Sequence, residues 1–304
     1  MPAPVSTSVP AVTANEYVEQ QLRERLEKIE EQFQAHALTF NGPLYRKTDD
    51  YLRIVVEKRC AQTNPSRKLV ILLTTGGGYL DPVQRMVATV RRHYDSVDFV
   101  IPNYAYSAGT LFALSGNAIH MDYYSRLGPI DPQIESSKGI MVSALGHVEK
   151  FNALMKRARD RKISPAEIQL MIAGFDQGEL YYYEQQRALS IVTVKEWLVR
   201  YKFKNWDKTE TRQRRVTQKM KKDRAADIGR QLSNTGKWHS HGYGISMEML
   251  RKDLKLKIDD FGQSQADSFA IRSYHDLLTD YMMRRGYRGV IQTPVDFLPF
   301  MQQA

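Results

Sequence analysis

The chain has 304 residues, with 44 Lys and Arg against 34 Asp and Glu, 42% hydrophobic residues and one cysteine. This is the composition of a soluble globular protein large enough to bury a full core, and the lone Cys60 excludes an internal disulfide framework or a multi-cysteine zinc site. No apolar run approaches the roughly 18 residues of a bilayer span, and residues 1–14 lack a signal peptide's charged start and apolar middle, so a cytoplasmic protein without membrane contact is expected.

In chain order, residues 1–14 hold three prolines, no charged side chain and no periodicity, which predicts a flexible arm. Residues 15–37 follow as an amphipathic helix opened by Asn15, with Tyr17, Leu22, Leu26, Ile29 and Phe33 at three- and four-residue spacing. That apolar stripe packs on its own domain or forms an oligomer contact. The spacing then predicts a strand over 38–44, a helix over 48–60, a buried strand over 68–74 and a helix over 81–93. A buried strand over 97–101, a short helix over 107–115 and a strand over 118–121 follow. Continuous apolar strands alternating with helices predict an α/β fold with a parallel sheet, whose sites gather at the carboxyl ends of strands. Beyond residue 148 the chain turns helical, with helices predicted over 148–161, 165–173, 179–200 and 264–285 and an irregular end from 285 to 304. The expected organisation is a domain over 38–263, flanked by the arm, the first helix and a C-terminal helix and tail over 264–304.

Two strand ends carry the chemistry. After Thr74 comes Thr75-Gly76-Gly77-Gly78-Tyr79, a run that brings the backbone close to a ligand and presents N–H groups ahead of a helix, or else simply makes a tight turn. It lacks the Gly-Lys-Ser/Thr ending of a phosphate loop and the third glycine of a dinucleotide fingerprint. After Ile101 comes Pro102-Asn103-Tyr104-Ala105-Tyr106-Ser107-Ala108-Gly109-Thr110, with Ser107 either at a nucleophile's position on a strand-to-helix turn or acting as an ordinary N-cap. The two ends are 30 residues apart, enough for one crossover helix. That crossover places Gly77 and Gly78 beside Ser107 at one sheet edge. The N–H groups of Gly77 or Gly78 and of Ala108 then suit an oxyanion hole.

The runs TTGGGYLDPVQRM, IPNYAYSAGTLFALSGNAIHM and SRLGPIDPQI, in that order, resemble the serine dehydrogenase proteinase family of the Clp-protease and crotonase superfamily, related to signal peptide peptidase A. The resemblance covers about residues 38–150, with a weaker echo in WHSHGYGI at 238–245. It implies a Clp/crotonase-like spiral of β-β-α units, a Ser107 nucleophile, oxyanion donors from Gly77 and Ala108, peptide substrates, a ring or trimer, and no cofactor.

The base is the open position. The Clp spacing of about 25 residues after the serine falls on Pro132. The membrane-protease branch has a lysine some 40 residues after the serine, where this chain offers His147 and Lys150, with Lys138 a poorer fit. A lysine base needs burial or nearby positive charge, whereas a histidine side chain is by its intrinsic chemistry suited to accept a proton near neutrality. His120 and His241 come next. His239 and His241 have no third ligand, so no metal is expected.

The window 200–224 holds eleven basic against three acidic residues. It reads as a solvated surface helix, or as a polyanion or nucleic-acid contact through Lys202, Lys204, Arg212, Arg214 and Arg215, with Tyr201, Phe203 and Trp206 stacking on bases. The reading favoured is a serine peptidase. The alternatives are a crotonase-type acyl-CoA enzyme and a non-catalytic binding module.

Overall fold

The computed structural model describes residues 13–62, 66–135 and 141–302. The expected arm falls outside these residues as far as residue 12, as does Lys138. The first helix, α1 (Ala14–Phe33), is capped by Thr13 and not by Asn15: Thr13 and Glu16 form a reciprocal capping box. It ends at Gln34 in the left-handed conformation.

The next elements follow the predicted alternation. They are β1 (His36–Asn41), α2 (Thr48–Cys60), β2 (Lys68–Thr74), α3 (Leu80–His93), β3 (Ser96–Val100), β4 (Tyr104–Ala105), α4 (Ala108–Leu114), β5 (Ala118–Met121), β6 (Arg126–Leu127), β7 (Gln133–Glu135) and β8 (Met141–Ser143). Helices α5 (Ala144–Arg159), α6 (Pro165–Gly174) and α7 (Gln177–Trp197) come next, the last running into a π-helical turn at Leu198–Lys202. The remaining elements are α8 (Gln218–Leu232), α9 (Thr235–Trp238), β9 (Ile245–Ser246), α10 (Met247–Lys252), β10 (Asp259–Asp260), α11 (Gln265–Arg285), β11 (Tyr287–Thr293) and β12 (Asp296–Gln302).

The architecture is mixed α/β, with an N-terminal helix and a helical C-terminal half. The main sheet has the order β10-β5-β3-β2-β1-β11-β12. Its first five strands are parallel, and β11 and β12 are antiparallel additions. The alternation of β2 assigns the two faces. Leu69, Ile71 and Leu73 pack with α2, α3 and α4 through Val55, Val83, Val87 and Leu111, while Val70 and Leu72 meet α1 and α11 through Leu26, Ile29, Ile271 and Leu278.

Two expectations are corrected here. The stripe Leu22, Leu26 and Ile29 of α1 is buried against α11 and the sheet of its own chain, so it is not available as an oligomer contact. The end of the chain is not irregular but a β-hairpin, and β11 pairs with β1 from Thr39↔Gln292 to Asn41↔Val290.

Candidate active site

The site forms where β2 and the segment after β3 end. Thr75 joins the two loops: its N–H donates to the Tyr104 carbonyl and its carbonyl accepts from the Tyr106 N–H, both at 3.0 Å. Its Oγ1 accepts the Gly77 N–H, also at 3.0 Å. Gly109 lies against the Thr75 methyl, where any side chain would collide, and its N–H donates to the Tyr106 carbonyl at 2.8 Å. The small residues after the serine therefore let α4 start directly beneath the glycine loop.

Ser107 is the N-cap of α4 with φ 52° and ψ −117°, a region that residues with a β-carbon rarely occupy. Its side chain makes no cap hydrogen bond, so the ordinary N-cap role does not describe it. The backbone turns sharply and the half-exposed hydroxyl is left uncommitted among the described residues. Gly77, at φ 104°, touches this residue: a β-carbon there would stand 2.8 Å from the Tyr106 carbonyl oxygen. The structure thus brings Gly77 and Gly78 to Ser107 and Ala108, as the crossover reasoning expected. The two glycines differ, however. The Gly77 N–H is taken by Thr75, whereas the exposed Gly78 N–H has no partner among the described residues.

The candidate bases lie apart from one another. His147 and Lys150 are exposed on α5. The His147 ring sits 6.4 Å from the rings of Phe175 and Tyr183, and Lys150 acts electrostatically on Glu167 of α6. Neither is hydrogen-bonded to Ser107. His120 turns to Asp98, 3.9 Å away, and packs edge-on against Phe33. His239 is exposed, and among the described residues no group of three or more His, Cys, Asp or Glu side chains is placed to hold a metal. His241, half-buried, contacts Asp131, a residue of the GPIDPQ run that sequence reasoning passed over, with Nδ1 and Oδ1 2.9 Å apart.

The basic window is not one helix. Lys208 bridges to Arg215 in a small hairpin, with the Thr209 N–H donating to the Arg214 carbonyl at 2.9 Å. Lys204, Arg212, Arg214 and Arg215 are exposed. Lys202 is drawn inward near Asp259 and Asp98, where loss of solvent pushes its ammonium down to about 8. The aromatics expected to stack on bases are occupied internally. The Arg91 guanidinium lies 3.8 Å from the centre of the Tyr201 ring, and Phe203 packs on Trp206 within the core.

Residues 19–163 match the family described as ClpP-like SDH-type serine proteinase. The match covers 145 of the 304 residues, a little under half of the chain. The chain is 31% identical over 104 residues, 32% of its length and 34% of the relative's, to an uncharacterised protein of Methanocaldococcus jannaschii. It is 32% identical over 77 residues, 25% of its length and 27% of the relative's, to another from the same organism. The chain thus spans about a third or less of the length of these curated relatives. Solved structures similar to it include a variant of the 1510-N membrane-bound stomatin-specific protease, at 15% identity and a TM-score of 0.42, covering 73% of this chain and 77% of that one. They also include the ClpP protease catalytic domain of Plasmodium falciparum, at 10% identity and a TM-score of 0.30, covering 40% of this chain and 63% of that one. The ClpP-like segment contains the glycine loop, Ser107 and the GPIDPQ run, and the basic hairpin and His241 lie beyond it. Among the described residues no helix is long and apolar enough to cross a membrane.

Proposed function

We propose that this chain is a serine peptidase in which Ser107 attacks the carbonyl of a peptide bond. The observation that carries the reading is the backbone of Ser107, held at φ 52° and ψ −117° against Gly77 at the start of α4. Strain of this kind costs on the order of 1–3 kcal/mol and persists where the surroundings enforce it, commonly at functional sites. The oxyanion is received by the N–H of Ala108, in the first turn of α4, and by the glycine loop. Gly78 is the better donor there because the Gly77 N–H is already bonded. His147 and Lys150 stand at the family's lysine spacing as the first candidates for the proton acceptor. No cofactor takes part in the reading.

The test is covalent labelling with a fluorophosphonate probe and hydrolysis of a fluorogenic peptide. Both are expected for the wild type and lost in Ser107→Ala. Undiminished labelling of Ser107→Ala would remove the proposal, and thioester hydrolysis without peptide hydrolysis would favour an acyl-CoA enzyme.

The superfamily resemblance adds a closed homo-oligomer, which light scattering reads as a mass above 35.1 kDa. A second reading, favoured by the exposed Arg212, Arg214 and Arg215 on the hairpin, adds polyanion binding beside the catalytic function. A cytoplasmic location is part of the proposal as well.

A further inference from the structure

Helix α11 divides into an apolar and a polar face. Ile271, Tyr274, Leu278 and Met282 are buried against α1 and the sheet, while His275, Asp276, Thr279 and Asp280 recur at helical spacing on the other side. Together with Asn103 and Tyr124, these polar residues line a cavity of about 370 Å³, within the size range of ligand sites. Asn103 immediately precedes β4, the strand that leads into Ser107. Arg272, also on the cavity wall, ties the helix to that segment by donating to the Pro102 carbonyl and to Asp122. On the opposite wall Tyr124 acts electrostatically on the Tyr106 phenol, so the cavity and the serine turn are neighbours.

The positive charges around this cavity are already matched. Arg272 is offset by Asp122, and Arg284 donates to Asp280 at 2.8 Å. Asp276 has no lysine or arginine partner among the described residues, and its side chain is 76% exposed. His275 is the most buried of the lining side chains, at 8% exposure. Its Nδ1 stands 3.7 Å from Asp276 Oδ1, and its Nε2 is buried with no hydrogen-bond partner among the described residues. Loss of solvent lowers its proton affinity; Asp276 opposes this and Arg272 adds to it, so the ring is neutral near pH 7. With Nδ1–H turned toward Asp276, Nε2 keeps a lone pair that calls for a donor. The uncommitted groups are therefore acceptors, a carboxylate and an imidazole nitrogen, beside the exposed Tyr124 ring. That set suits a cation with several N–H donors on an apolar stem.

We propose that this cavity is a recognition subsite for a basic side chain, lysine or arginine, of the peptide being cleaved. The proposal rests on Ser107 being the nucleophile, because it assigns the cavity to that reaction's substrate. Ser107 follows Asn103 by four residues, which an extended chain spans in about 14 Å at most. A substrate lying extended between the two covers the same distance in about four residues. Its ammonium or guanidinium pairs with the Asp276 carboxylate and donates to His275 Nε2, and its alkyl stem lies on Tyr124.

The experiment uses the full chain and short alanine–serine peptides that carry one arginine or, in a matched set, one citrulline, which keeps the shape and loses the charge. Binding is read by fluorescence anisotropy on Ser107→Ala at low ionic strength, and cleavage positions by mass spectrometry on the wild type. Ser107→Ala is expected to bind the arginine peptide about fivefold or more tightly than its citrulline twin. Asp276→Asn, a change at an exposed side chain that leaves the fold and its thermal midpoint intact, removes that preference in the same background. Glu184→Gln, an equal loss of charge at an exposed position of α7, keeps it. The wild type cuts about three to five residues from the arginine. Equal binding of the two peptides, a preference that survives Asp276→Asn, or cuts placed without regard to the arginine overturn the subsite, while cleavage by the wild type keeps the peptidase reading. Arginine amide alone binding as tightly as the peptide marks a site for free amines and likewise overturns it. A wild type that neither labels with fluorophosphonate nor cuts any of these peptides overturns both.

Discussion

A β-carbon placed on Gly77 would stand 2.9 Å from the β-carbon of Ser107, so the glycine loop and the serine turn touch with no room between them for a side chain. Gly77 also holds φ 104°, which disfavours any other residue. Gly77→Ala is expected to lose on the order of 1–3 kcal/mol of stability to strain, read as a lower thermal midpoint, and to cut probe labelling by more than tenfold. A variant that keeps both its midpoint and its labelling rate would show that this contact does not shape the site.

Ser107 itself stores strain that glycine does not feel. Ser107→Gly is expected to gain up to about 1 kcal/mol of stability, read as a higher unfolding midpoint, while abolishing labelling, because glycine reaches positive φ without steric cost. Calorimetry of Ser107→Gly beside Ser107→Ala separates the two effects, since alanine loses the hydroxyl but keeps the β-carbon. A lower midpoint for the glycine variant would contradict the backbone reading.

Asp122 fixes the segment that leads into the site. Burial alone would raise its carboxyl, yet hydrogen bonds from Arg272 and Ser125 and from the Tyr124 N–H outweigh this and hold it below the ordinary value. A depressed folded value means that the stabilisation is present above the unfolded carboxylate value, near 4, and is lost as pH falls through the lower folded one. Urea midpoints measured from pH 7 down to pH 2 should therefore drop below about pH 4. Asp122→Asn should be less stable at neutrality and lose less on acidification. An equal acid loss in both proteins would show that other carboxylates, Asp98 among them, carry the effect.

The hairpin charges are testable separately from catalysis. If they hold a polyanion, binding of single-stranded DNA at low ionic strength should weaken steeply with salt, and replacing Lys204, Arg212, Arg214 and Arg215 by Gln should flatten the slope by up to about four contacts. Peptide hydrolysis by the quadruple variant should remain. Absence of salt-dependent binding by the wild type would leave these residues as a solvated surface.

The parts of the fold that the sequence made legible are those where neighbouring residues suffice. Helix α2 has Asp49 and Asp50 in its first turn and Lys58 and Arg59 in its last, both favoured by the helix dipole, and it was bounded without error. Strand β2 is a continuous apolar run and was bounded equally well. The terminal hairpin was misread because Gly286, Gly289, Pro294 and Pro299 look like breaks in a linear text. In space, a β-carbon on Gly289 would run into the Phe300 ring, and one on Gly42 of the loop after β1 would lie 2.7 Å from Gly289 Cα, so the glycine serves a close approach between strands. The placement of Ser107 and the glycine loop at neighbouring strand ends was legible for the same local reason as α2. The pairing of Asp131 with His241 crosses 110 positions and depends on β6 lying between β4 and β9, which no spacing rule contains. The available signal was that both residues sit in short runs, GPIDPQ and WHSHGYGI, already singled out for their resemblance.

The placement of β11 beside β1 bears on how this protein can be handled as an object for expression and evolution. The residues that match the proteinase family end at 163, yet the strand that completes their sheet and the helix that covers one face of it come from residues 265–302. A fragment cut at the family boundary would present the unpaired backbone of β1 and the bared apolar face of Val70 and Leu72 to solvent, an invitation to edge-to-edge association. The smallest piece able to stand alone therefore needs both ends of the chain. Lengthening or exchange by recombination is best tolerated in the exposed hairpin near residue 212, which lies outside that clasp.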